Sequence, residues 1–152
     1  MSKIAERLAE LGLTLPTVPA PVAAYVPAVR TGSYVYTSGQ LPIVEGKLGV
    51  TGLVGGEVSA ETGYDLARIA GLNALAAVAS VADLDDVVRV VKAVGFVASA
   101  PGFTGQPGVV NGASELFGAV FGDAGKHARS AVGVAVLPLN APVEVELIVE
   151  VR

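Results

Sequence analysis

The chain has no cysteine and a single histidine. The first absence excludes disulfide staples and thiol chemistry. The second excludes the usual zinc sites, which need several His or Cys ligands. Clusters of positive charge are missing too. The ten Lys and Arg are scattered from Lys3 to Arg152, and the net charge is −4. A nucleic acid would need a basic stripe to meet its phosphates, so no such partner is expected. No apolar run is long enough to cross a bilayer, and the opening MSKIAERLAELGL is too charged for a secretory signal. The expectation is a cytoplasmic protein with no membrane partner.

Small apolar residues are what the chain has in excess. It is 52% hydrophobic and 16% charged, against about 25% charged for an average domain. Its 152 residues read as one domain, a size that buries roughly 68–70% of its extended surface. Without a membrane to enter, so apolar a chain would expose large patches as a monomer. Such patches mark interfaces, and an obligate oligomer is expected.

The pattern along the chain predicts alternating elements. Residues 1–21 read as a short helix, capped by Ser2 and ended by Gly12, followed by the extended linker LPTVPAPVA. Residues 22–152 read as a single domain. Within it, Tyr25–Val29 and Tyr34–Ser38 form a hairpin across Arg-Thr-Gly-Ser. Residues 41–58 are a glycine-rich loop that holds at most a short edge strand. A helix runs from Ser59 or Glu61 to Val81, with Leu66, Ala70, Ala74 and Ala77 at helical spacing. The β-branched run Val87–Ala98 is a strand. SAPGFTGQPG is a loop, and Asn111–Phe121 is a second helix that ends near Gly122. Two strands close the chain within HARSAVGVAVLPLNAPVEVELIVEV. The class is α+β or α/β, with two helices on one sheet face. The other face is expected to carry Val132, Val134, Val136, Val145 and Leu147 under a neighbouring subunit.

Few residues offer chemistry. The segment GVTGLVGGEVSAETG lacks GK[ST] and is no phosphate loop. No G-x-S-x-G elbow occurs. His127 reads as a surface residue between helix and strand. Arg129, at the head of a strand, is either a solvated edge cation or a guanidinium held to grip a carboxylate through two parallel bonds. Glu144, Glu146 and Glu150 share one strand face by period two. They are either a solvated face or include a general base.

Taken together, YVPAVRTGSYVYTSGQLP (25–42), NGASELFGAVF (111–121) and HARSAVGVAVLPLNAPVEVELI (127–148) resemble the reactive intermediate deaminase family, RidA or YjgF. The likeness is to a longer subgroup. His127-Ala128-Arg129 stands where the family often has Pro-Ala-Arg, and the 43–58 and 99–108 loops differ. The resemblance implies a chorismate mutase-like α+β fold, with a six-stranded mixed sheet on two helices. It also implies a homotrimer whose sheets form a central barrel, with a cleft at each subunit interface. The implied activity is hydrolysis of enamines and imines, such as 2-aminoacrylate, to a 2-keto acid and ammonia, without metal or cofactor. By the same likeness Arg129 binds the substrate carboxylate and Glu144 positions the attacking water. Tyr25, Ser38, Gly39 and Asn111 line the cleft, and Ala131 contributes backbone beside the ligand. The rival reading is a non-catalytic trimer that binds small carboxylate metabolites. Endoribonuclease and chorismate mutase activities are disfavoured by the acidic balance and by the single well-placed arginine.

Overall fold

Small residues decide how this chain packs. In the computed structural model, which describes residues 2–18 and 24–152, the main helix begins at a serine cap. Ser59 stays extended and its hydroxyl accepts the Thr62 amide, pairing a donor that a helix start leaves free. Helix α2 (Ala60–Ala79) stops two residues short of the expected Val81. Its buried face holds Gly63, Ala67, Ala70, Gly71 and Ala74. Helix α3 (Gln106–Phe121) crosses it so closely that a Cβ on Gly112 would overlap the Tyr64 carbonyl. Glycine is required there by approach of two backbones rather than by an unusual dihedral. Helix α3 starts five residues before the expected Asn111, because Pro107 falls in its first turn, where the missing N–H costs nothing. Helix α1 (Lys3–Glu10) is capped by Ser2. Its first amides are also taken by Asp85, whose carboxylate accepts from Lys3 and Ile4 at 3.0 and 2.8 Å. Ile4 and Leu8 join the same apolar cluster as the sheet. The expected boundary between residues 21 and 22 lies outside the described residues. No helix among the described residues is long and apolar enough to cross a membrane.

The strands are β1 (Ala28–Thr31), β2 (Tyr34–Thr37), β3 (Ile43–Val44), β4 (Lys47–Leu48), β5 (Val87–Ala98), β6 (Ala128–Val134) and β7 (Val143–Val151). The first strand starts later than Tyr25, since Pro27 has no N–H to give a ladder. The hairpin turn is Gly32-Ser33, with Gly32 at φ +57°, as a two-residue connection requires. Among the described residues the main sheet has five strands in the order β1-β2-β7-β5-β6, of which only β5 and β6 run parallel. The class is α+β, and among the described residues the main sheet has one strand fewer than expected. Strands β3 and β4 form a separate two-stranded hairpin across Glu45-Gly46.

Both helices lie on one face of the sheet. Val143, Val145, Leu147, Val149 and Val151 point to them and are at most 1% exposed. This corrects the expectation that Val145 and Leu147 lie on the uncovered face. Burying β7's glutamates dry would be costly, so they take the other side. Val136 lies beyond the end of β6, in the connection to β7. The open face carries Glu144, Glu146, Ile148 and Glu150, with Val94 and Phe96 of β5 and Val132 of β6 in register. Tyr36 on β2 and Val132 remain 45% and 43% exposed there.

Gly112→Ala tests the helix crossing. Backbone cannot rotate aside as a side chain can, so overpacking should cost roughly 1–3 kcal/mol. Denaturant unfolding checks it. Gly108→Ala is the control, since nothing lies within 4 Å of a Cβ there.

Candidate functional site

Strand β6 sits at the sheet edge, and its second residue is Arg129. Arg129 pairs with Ala93, which in turn pairs with Leu147, and both of those are buried beneath the helices. The arginine therefore leaves the sheet on the helix side, under α3. There it is held on three sides. Nη1 donates to Asn111 Oδ1 at 2.7 Å and to Ser114 Oγ at 3.2 Å. Nη2 donates to the Pro107 carbonyl at 3.3 Å. Among the described residues, Nε–H and one hydrogen of Nη2 have no acceptor. Those two nitrogens share an edge, the edge a carboxylate grips with parallel bonds. Asn111 and Ser114 are three apart on α3 and so face the same way. Asn111 is in the second turn of α3 rather than opening it.

His127 lies between the helical turn Gly122–Gly125 and β6, as expected, and both of its ring nitrogens have partners. Its Nε2 is 2.8 Å from Ser114 Oγ and its Nδ1 is 2.6 Å from the Gly125 carbonyl. Its ring meets Phe117 edge-on at 5.6 Å between centroids. Ser114, Gly118, Gly125, Lys126, His127 and Arg129 line a surface cavity of about 320 Å³. Ala131 follows on the same side of β6, in register with Gly95 and packed against the core.

Glu144 lies on the other side. It pairs with Phe96, which pairs with Val132, all on the open face. Gly39 stands directly against it: a Cβ on Gly39 would meet Glu144 Cδ at 2.8 Å. The segment is laid along β7 by Gln40, whose amide donates to Val145 and whose carbonyl accepts from it, at 2.8 and 3.0 Å. Ser38, next to Gly39, donates its hydroxyl to the Val26 carbonyl at 2.6 Å. Tyr25 is 62% exposed, ahead of β1. Burial, and secondarily the charge of Glu146, raises the pKa of Glu144 above the ordinary carboxylate value. The candidate residues thus form two groups. Arg129, Asn111 and Ala131 are on the helix side, and Glu144, Gly39 and Ser38 are on the open side. Within one chain, Arg129 and Glu144 do not meet. Among the described residues no three His, Cys, Asp or Glu side chains could share a metal.

Ser114 was not singled out by the sequence. The signal that could have found it is its three-residue spacing from Asn111 on a helix, together with His127 two residues before Arg129.

Comparison with known proteins bears on this arrangement. The family model described as "YjgF/chorismate mutase-like, putative endoribonuclease" matches residues 5–151. Protein TCP17 of Trypanosoma cruzi is 44% identical over 152 residues, covering 99% of this chain and 95% of its own. The crystal structure of Atu1372 from Agrobacterium tumefaciens, a protein of unknown function, is 48% identical with a TM-score of 0.91, over 99% of this chain and 93% of that one. The structure of E. coli TdcF with bound serine is 27% identical with a TM-score of 0.64, over 89% and 93%.

The raised pKa of Glu144 has a sign that can be measured. A carboxyl harder to ionise in the folded chain imposes a cost that grows as pH rises from its ordinary value to its raised one, and is absent below both. Glu144→Gln should therefore unfold at a higher temperature than wild type at neutral pH. The gap should close as pH falls through the carboxylate range in thermal melts.

Proposed function

The chain belongs to the YjgF/chorismate mutase-like family, and from that membership we propose that it hydrolyses small 2-imino acids and their enamine tautomers, such as 2-aminoacrylate. The products are a 2-keto acid and ammonia. The observation that carries this reading is Arg129, a half-buried guanidinium fixed on three sides with one carboxylate-shaped edge left free. The serine in E. coli TdcF supports an amino-acid-sized occupant, since serine offers the same α-carboxylate.

The reaction needs a second copy of the chain. Glu144 and Arg129 leave opposite faces of one sheet, so one small substrate touches both only if neighbours each supply one. The half-exposed Tyr36 and Val132 on the open face support burial of that face against other copies, and a homotrimer is the assembly proposed. In the cleft Arg129 of one copy holds the carboxylate. Glu144 of the next holds a water against the imine carbon and takes its proton as the C–O bond forms. Glu144 passes that proton to nitrogen to give a carbinolamine. The new hydroxyl then yields its own proton to nitrogen as the C=O forms, the C–N bond breaks, and ammonia leaves. A raised pKa makes Glu144 the stronger base when ionised. Gly39 leaves the Glu144 carboxylate the space that any side chain there would take. Tyr25 and Ser38 belong to the same wall, while Asn111 and Ala131 belong to the arginine's.

A non-catalytic carboxylate binder is the second reading. It is favoured by the arginine site being complete within one chain. Glu144 separates the two, because a binder of anions gains nothing from a carboxylate nearby, whereas water placement does. Ribonuclease action is disfavoured by the net charge of −4 and the scattered basic residues.

The test generates 2-aminoacrylate from serine with a dehydratase and follows ammonia and keto acid against spontaneous decay. Wild type should accelerate release, and Arg129→Ala should lose about 100-fold, the order expected for a charge-assisted pair. No acceleration by folded wild type would overturn the deaminase reading. Keto-acid binding abolished in Arg129→Ala would then favour the binder.

A further inference from the structure

The partners of His127 constrain the polarity of its bonds. The Gly125 carbonyl can only accept, so Nδ1 carries a hydrogen. With Nε2 unprotonated, the ring accepts there from the Ser114 hydroxyl. Arginine can only donate, so the lone pairs of Ser114 Oγ are what Arg129 Nη1 meets. The result is one directed chain from Arg129 through Ser114 and His127 to the Gly125 carbonyl. Its far end is anchored in backbone, where the short helical turn Gly122–Gly125 meets α3. The whole chain lines the cavity that holds Arg129.

We propose that Ser114 and His127 are positioning residues that aim the Arg129 guanidinium at its carboxylate ligand. This rests on the reading of Arg129 as a carboxylate grip. Without an acceptor at Nε2, the Ser114 hydroxyl is free to turn to the carbonyl one helical turn back. Its lone pairs then no longer face Arg129, and Nη1 keeps only Asn111. The guanidinium gains freedom that must be lost again on binding. The effect falls on affinity, because the carboxylate is held alike in the bound and reacting states.

The polarity also sets which substitutions substitute for histidine. Glutamine at 127 places its amide near the position of Nε2 and can accept from Ser114. Asparagine places its amide near Nδ1, which restores the Gly125 bond and leaves Ser114 without an acceptor.

The experiment compares His127→Gln, His127→Asn, His127→Ala, Ser114→Ala and Arg129→Ala by two readouts. One is KM and kcat for 2-aminoacrylate hydrolysis. The other is calorimetric binding of 2-oxobutanoate, which needs no turnover. His127→Ala, His127→Asn and Ser114→Ala should raise KM and Kd about tenfold, a modest misplacement effect, with kcat nearly unchanged. His127→Gln should stay near wild type. Wild-type KM and Kd in both His127→Ala and Ser114→Ala would overturn the proposal. So would equal behaviour of the Gln and Asn variants. If His127→Ala does not fold, Ser114→Ala removes one oxygen and carries the test. If Arg129→Ala itself binds 2-oxobutanoate normally, the carboxylate-grip reading fails. If only Arg129→Ala is weakened, the positioning role alone fails.

Discussion

Successive side chains of a β-strand leave on opposite faces, and this alternation limits what one copy of the chain can do. The registry of β6, β5 and β7 places Arg129 in a row with Ala93 and Leu147, and Glu144 in a row with Phe96 and Val132. The first row is under the helices and the second is open. The same parity that buries Val143, Val145 and Leu147 forces the glutamates outward. A one-residue slip would bury three carboxylates and expose the core, so the register is strongly fixed. The cation and the carboxylate proposed to act on one substrate are thereby kept apart in the monomer. Their separation also prevents them from neutralising each other as an ion pair, which would leave neither free for a ligand.

The two half-sites are built by different means. On the helix side, three neutral acceptors surround the guanidinium, from Asn111, Ser114 and the Pro107 carbonyl. They orient it without cancelling its charge. On the open side, Glu144 has Glu146 for company on its own strand, and partial burial with like charge raises its pKa. Each half is positioned by close packing. Gly95 on β5 has no Cβ because Val110 of α3 occupies that space, and α3 carries Asn111 and Ser114. Gly39 lies against Glu144 for a similar reason. The abundance of Gly and Ala is what lets two helices and a loop come this near the sheet.

Much of the fold is legible in the sequence. The Ser59 cap, the alanine spacing of α2 and the β-branched Val87–Ala98 run all read correctly because each is a local signal. Element starts next to prolines did not. Pro27 delayed β1, and Pro107 was compatible with a helix start that a loop-like composition concealed. The face assignment of Val145 and Leu147 failed because parity within a strand is local, but which parity faces the helices depends on packing. The arginine and the glutamate were put forward as site residues through a joint pattern of motifs. Ser114 and the setting of His127 were not, because spacing shows which residues share a face of one element, whereas their link joins α3 to the approach to β6.

The two-copy site is tested most directly by complementation. One chain carrying Arg129→Ala and one carrying Glu144→Gln, each inactive alone, would be co-expressed with different tags and purified as mixed assemblies. If each site takes its arginine and its glutamate from different copies, random mixing in a three-membered ring leaves roughly a quarter of sites intact. Deaminase activity should return to about that fraction of wild type in ammonia release. Mixed assemblies as inactive as either parent, in the presence of an active wild-type control, would contradict a site shared between copies.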